Sequence, residues 1–121
     1  MNWPLAALVG ALGTGFAGYR WAERFERFAV EGESMLPAYR PGDWLLVDTR
    51  AFAGRMPRVG EVVVARDPRH ATRRLIKRVK SVDIHGNIWL EGDNPAASTD
   101  SRHFGAVEQV IGLVRWRYRR G

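Results

Sequence analysis

From Trp3 to Tyr19 the chain carries no charged side chain, and nothing comparable recurs after Arg20. As a helix this 17-residue run would be about 26 Å long, at the short end of what crosses a bilayer core. Small residues recur at every fourth position (Ala6, Gly10, Thr14 and Gly18), a spacing that lets membrane helices approach closely. A helix buried in a soluble core would lose about 1 kcal/mol at each internal glycine relative to alanine. A cleaved secretory signal would open with positive side chains, and Met1-Asn2 supplies none. The run is therefore read as a single membrane anchor. Arg20, Arg24 and Arg27 follow it while no Lys or Arg precedes it, so the positive-inside rule predicts that the remainder faces the cytoplasm. Trp21, Phe25 and Phe28 fall at i, i+4 and i+7, which predicts that the helix continues as an amphipathic interfacial stem.

After the stem the texture changes to short β-rich runs separated by Gly, Pro and Asp. Strands are predicted at Asp43–Asp48, Gly60–Ala65, Arg73–Val82, Asn87–Glu91 and Val107–Arg117. His85-Gly86 marks a hairpin turn, and Pro41-Gly42 and Pro57 to Gly60 mark others. The expected organisation is an anchor and stem over 1–28 and one domain over 29–121. That domain is mainly β, a small barrel or double antiparallel sheet behind one N-terminal transmembrane helix. With 121 residues in all, there is no room for a second core.

Composition narrows the chemistry. The chain has no cysteine, which excludes a thiol nucleophile, a disulfide framework and any thiolate metal site. Lys and Arg outnumber Asp and Glu by 19 to 13, a net charge of +6 that suits an anionic partner, either lipid or nucleic acid, or simply a well-solvated surface. Only Lys77 and Lys80 are lysines. Arginine keeps its proton at neutral pH, so lysine base chemistry has two candidates.

Three segments carry chemical potential. In Gly32-Glu33-Ser34-Met35-Leu36-Pro37 a serine follows a strand end, where an exposed hydroxyl and a free backbone N–H can act as nucleophile and oxyanion donor. The competing reading is an ordinary turn serine, and the second glycine of a hydrolase elbow is missing. In Leu75-Ile76-Lys77-Arg78-Val79 strand alternation puts Lys77 on one face with Leu75 and Val79. Burial there would lower its pKa and make a neutral amine available as a base; the alternative is a lysine reaching from an edge strand to water. In Gly92 to Arg102, Asp100 and Arg102 stand two apart in a loop rich in hydrogen-bonding side chains and are placed to pair. His70, His85 and His103 have no zinc-hydrolase spacing, and no phosphate-binding glycine loop is present. The arginines and aromatics of Arg115 to Arg120 suit an anionic lipid surface or a fraying last strand.

Taken together, these segments resemble the signal peptidase I family of membrane-anchored serine proteases. Val30 to Pro37 with Pro41-Gly42-Asp43 is similar to its nucleophile box, Leu75 to Val79 to its lysine box, and Gly92-Asp93-Asn94 through Phe104-Gly105 to its third box. The resemblance implies a Ser-Lys dyad, with Ser34 as nucleophile and Lys77 as general base. It further implies that Ser98 orients the lysine amine and that Asp100 and Arg102 brace the loop. Some members carry a hydroxyl two residues before the nucleophile; this chain has Gly32 there, so a second oxyanion donor must come from elsewhere or be missing. The turn after the lysine box also departs, reading Lys80-Ser81-Val82-Asp83. The implied activity is removal of an N-terminal leader or signal peptide from a precursor protein, with no metal or organic cofactor. Within the family the stretch Asn94 to Gly105 looks most like the maturation proteases of nickel-type superoxide dismutase, and it is also similar to the mitochondrial inner-membrane peptidases. A general signal peptidase for exported precursors is the first alternative. A repressor-type self-cleaving domain would need a DNA-binding N-terminus in place of the hydrophobic run. A basic β-barrel binding single-stranded nucleic acid through Trp44, Trp89 and Trp116 is the non-enzymatic alternative.

Overall fold

The computed structural model describes residues 23–119. The predicted anchor lies outside the described residues, and among those described no helix is long and apolar enough to cross a membrane. Six strands follow one another: β1 (Phe25–Ala29), β2 (Asp43–Asp48), β3 (Val62–Asp67), β4 (His70–Val82), β5 (Ile88–Glu91) and β6 (Gly112–Arg119). A 3-10 turn at Pro95–Ala97 and a one-turn helix, α1 (Ser101–Phe104), lie between β5 and β6. The mainly-β expectation therefore holds, but the strands form one six-stranded sheet in the order β1-β2-β6-β3-β4-β5, with every neighbouring pair antiparallel, rather than two sheets.

The centre of the sheet is β3, whose Val62, Val63, Val64 and Ala65 are all buried. Because alternate residues face opposite sides, one strand feeds two cores. Val62 and Val64 join Val30, Met35, Leu45, Val47 and Ile76 on one face. Val63 and Ala65 join Val79, Ile88, Leu90 and Val107 on the other. Buried carboxylates sit against arginines at the strand ends. Asp48 is fully buried and accepts from Arg24 at 2.8 and 2.7 Å and from Arg115 at 3.2 Å, tying the start of β1 to β6.

The turns fall where glycine was expected to set them: Gly42, Gly60 and Gly86 all have positive φ. The hairpin between β4 and β5 is a five-residue loop in which Asp83 Oδ1 accepts from the backbone N–H groups of His85 and Asn87.

Two expectations are corrected. Phe25–Ala29 is a strand, not the last turns of an amphipathic stem: Phe25 pairs with Asp48 and Ala29 with Trp44 on β2. Phe28 then faces the core while Phe25 faces away from it, so the two aromatics do not share a face as the helical spacing required. The last strand begins at Gly112, because Val107 makes only an isolated bridge to Ile88.

Candidate functional site

Ser34 stands in the turn that follows β1. Val30 pairs with Asp43 through its N–H (2.9 Å), Gly32 turns the chain at φ +71°, and Met35, immediately after the serine, is buried in the first core. A left-handed φ suits glycine and strains other residues, which accounts for the absence of a side chain two positions before the serine. The buried methionine fixes the half-exposed serine beside it. The Leu36–Pro37 peptide is cis.

The third segment is fastened onto this turn. The N–H of Asn94 donates to the Ser34 carbonyl at 2.8 Å, and Asn94 Nδ2 donates to the Glu33 carbonyl at 3.0 Å. Gly92 lies so close that a Cβ on it would sit 2.2 Å from Ser98 Oγ and 2.6 Å from the Ser34 carbonyl oxygen. Sequence reading placed Gly92 in a loop and gave it no role; a close-approach glycine shows itself only once the neighbouring backbone is known.

Lys77 is on β4, opposite Val63 in the register, and is 3% exposed. Its neighbours Leu75, Ile76 and Val79 are buried as well, so the strand is covered on both faces rather than on one. Burial pushes the Lys77 pKa down. The carboxylate of Asp100 opposes that shift, while the positive charges of Arg73 and Arg102 reinforce it. Among the described residues the ammonium group has no hydrogen-bond partner.

Asp100 is the hub of the supporting loop. Fully buried, it accepts from Ser98 Oγ (2.6 Å), the Gly92 N–H (2.8 Å), and Arg102 Nε (2.9 Å) and Nη2 (2.6 Å). Burial alone would raise its pKa, but hydrogen bonds from Arg102, Ser98 and Gly92 hold it far below the carboxylate range. It also caps α1, accepting from the Arg102 N–H at 3.1 Å, while its own N–H donates to His103 Nδ1 at 3.2 Å.

A cleft of about 540 Å³ joins these pieces, with Ser34 and Lys77 both on its walls together with Gly32, Leu75, Ala97 and Thr99. A half-exposed hydroxyl and a buried amine with a depressed pKa thus open onto one space. Ser98 is buried, and its hydroxyl proton is directed to Asp100, which leaves its oxygen lone pairs as acceptors. The three histidines are all exposed and none lines the cleft. The tryptophans form no single groove: Trp44 and Trp116 lie on neighbouring β2 and β6, whereas Trp89 is on β5 at the far edge and donates to Glu91.

The Peptidase S24-like family profile matches residues 24–114, the whole of the sheet apart from the last residues of β6. Curated relatives agree. The chain is 35% identical over 100 residues to the mitochondrial ATP-independent inner membrane protease subunit 1a of Arabidopsis thaliana, covering 64% of this chain and 60% of that protein. It is 32% identical over 112 residues to the mitochondrial inner membrane protease subunit 1 of Schizosaccharomyces pombe, covering 75% and 69%. It is 31% identical over 107 residues to the mouse subunit 1, covering 71% and 62%. The chain spans about three fifths of the length of the first of these relatives. With its cleft, its three boxes and all of its sheet but the end of β6 inside the matched range, the chain belongs to the Peptidase S24-like family of signal peptidase I-like proteins.

Proposed function

We propose that the chain is a membrane-anchored serine endopeptidase that removes an N-terminal leader or signal peptide through a Ser34–Lys77 dyad. The observation that carries this is the placement of both side chains on one cleft, with Lys77 buried and its pKa depressed. A neutral Lys77 amine removes the proton from Ser34 Oγ as the oxygen attacks the scissile carbonyl. The tetrahedral intermediate collapses when the Lys77 ammonium returns the proton to the departing amine, leaving an ester on Ser34. Water, deprotonated by the same amine, then hydrolyses the ester and releases the acid. The Ser34 N–H is one oxyanion donor. Ser98 donates to Asp100 and so keeps its oxygen lone pairs free to orient the Lys77 amine during the reaction, and Arg102 keeps Asp100 ionised; these are positioning roles.

Residues Trp3 to Tyr19 supply the anchor, and the peptidase domain begins with β1. The arginines after the anchor favour a cytoplasmic domain, which a reporter fused after Gly121 tests: a reporter on the outer side refutes that orientation. The substrate proposed is the leader of a nickel-type superoxide dismutase, on the resemblance of Asn94 to Gly105. The relatives are named as proteases of the mitochondrial inner membrane, which favours a second substrate class, proteins met at a membrane. The deciding experiment is cleavage in detergent of a nickel superoxide dismutase precursor beside a secretory precursor, using wild type, Ser34→Ala and Lys77→Ala. Cleavage by wild type alone is expected, and the preferred precursor assigns the substrate. Cleavage that survives either substitution refutes the dyad.

A further inference from the structure

The cleft lies to one side of the dyad. Its walls run from Phe28 up to Ser34 and, on β4, from Thr72 up to Lys77, and take no residue from 35–71 or 78–96. The charges on these walls are sorted by position. Arg73 stands at the far end, four residues before Lys77 and in the stretch where β3 and β4 fall out of register between Arg74 and His70. An irregularity of this kind frees a side chain from the ladder and re-aims it. Among the described residues the Arg73 guanidinium has neither a hydrogen bond nor an ion pair, whereas its neighbour Arg74 is held by Glu26 of β1 at 2.8 Å. Glu31 and Glu33 line the cleft at the other end, close in sequence to Ser34, and their carboxylates are also unpaired among the described residues. The cleft is thus acidic beside the nucleophile and basic away from it.

We propose that Arg73 is a specificity-determining residue that holds a carboxylate side chain of the leader, about four to six residues before the scissile bond. The inference rests on the Ser34–Lys77 reading above and names the kind of leader the dyad acts on. In acyl transfer the amine half of the substrate departs first, while the acyl half stays on Ser34 until water attacks. A cleft on one side of the dyad serves the half that stays, which here is the leader. An extended peptide covers about 13 Å in four residues, the span from Lys77 to Arg73 along β4, and the length of the arginine side chain widens the window by about two residues. A guanidinium without an internal partner can take a carboxylate through paired N–H···O bonds and gives up nothing to do so. Nearer the cut the same carboxylate would meet Glu31 and Glu33, so the preference is positional and not a general one for acidic peptides. A secretory signal carries its apolar stretch close before the cut, so an ionic preference at this distance selects leaders of another kind.

The test uses a peptide mixture rather than one precursor. A chymotryptic digest of a bacterial lysate keeps Asp, Glu, Lys and Arg inside its peptides. It is exposed in detergent to the full chain as wild type, Arg73→Glu, Arg73→Lys and Ser34→Ala, and the new termini are identified by mass spectrometry. Cuts absent with Ser34→Ala are aligned at the scissile bond. Wild type is expected to show Asp or Glu enriched about two- to fivefold at roughly four to six residues before the cut, the size of an exposed ion pair. Arg73→Lys should keep that enrichment, and Arg73→Glu should exchange it for Lys and Arg at the same positions. The Arg73 charge also lowers the Lys77 pKa, so replacing it changes the overall rate. Enrichment compares peptides cut by one enzyme and is insensitive to that change. Ser34-dependent cuts with no acidic preference, or with one that Arg73→Glu leaves in place, overturn the role of Arg73 and leave the dyad standing. An acidic preference on the C-terminal side of the cut overturns the assignment of the cleft to the leader. A mixture with no Ser34-dependent cut overturns the dyad and this inference with it.

Discussion

Gly92 is where the fold and the proposed chemistry meet most tightly, and replacing it with alanine tests both. Its φ lies outside the left-handed region, so alanine meets no backbone penalty and the whole effect is steric. The new methyl would stand 2.2 Å from Ser98 Oγ, 2.6 Å from Ser98 Cβ and 2.6 Å from the Ser34 carbonyl oxygen. Ordinary contacts need about 1 Å more, and the atoms that must yield are held: Ser98 by Asp100, and the Ser34 carbonyl by Asn94. Overpacking of this kind costs about 1–3 kcal/mol, offset by up to about 1 kcal/mol from the stiffer unfolded chain. A net loss of about 1–2 kcal/mol corresponds to a fall in Tm of roughly 5–15 °C for a domain of this size. The rate should suffer more than the stability, because a misplacement of about 1 Å at a catalytic centre costs on the order of 100-fold. The assay is thermal unfolding by circular dichroism beside initial cleavage rates. Gly92→Ala combined with Ser98→Ala removes the closest contact and should recover part of the Tm without recovering the rate. Gly32→Ala is the contrast, since nothing lies within 4 Å of its Cβ position and only its φ of +71° is at stake, about 1 kcal/mol. If Gly92→Ala keeps both the Tm and the rate of wild type, the docking of the third segment on the Ser34 turn is wrong.

Other outcomes follow from the same geometry. Lys77→Met removes a buried amine without leaving a void and should abolish cleavage while holding or raising the Tm; a chain that unfolds would point to a structural lysine instead. Cleavage should rise with pH as Lys77 loses its proton, the midpoint lying below 10.5 because burial depresses its pKa; a profile with no dependence on Lys77 contradicts this. Asp48 is held down to about 2 from 3.8 by the Arg24 hydrogen bonds, aided by the Arg50 N–H and Arg115 against the effect of burial. The unfolded state therefore binds the Asp48 proton more readily, and about 2 kcal/mol of stability present above pH 4 is lost as pH falls toward 2. Asp48→Asn should remove about that amount at neutral pH and flatten the acid limb of a Tm–pH curve. Asn94→Ala should lower kcat several-fold by freeing the Glu33 carbonyl, with little change in KM; an unchanged kcat would show that the Asn94 clamp does not hold Ser34 in place.

Much of the fold is legible in the sequence, for physical reasons that also explain the misses. Asp43–Asp48 coincides with β2, because its alternating pattern and the Pro-Gly before it specify a strand without help from elsewhere. Lys77 reveals itself through its aliphatic neighbours, and Asp100 and Arg102 through their spacing. Phe25–Ala29 misleads because Phe-Glu-Arg-Phe-Ala mixes strand-favouring phenylalanines with strand-poor Glu and Ala; pairing with β2 and the Asp48 clamp on Arg24 override its helical spacing. The single sheet order is hidden because β1 and β6 reach β2 from opposite ends of the chain. Nothing local to Gly92 shows which backbone approaches it.

The dyad itself is tested most directly by covalent labelling. A serine-directed fluorophosphonate is added across a range of pH to wild type, Lys77→Met and Lys77→Arg, and the adduct is located by mass spectrometry. A single adduct on Ser34 is expected in wild type, forming faster as pH rises through the lysine ionisation and absent from both variants. An adduct that forms at the wild-type rate in Lys77→Arg, or that falls on another serine, would contradict the assignment of Ser34 and Lys77.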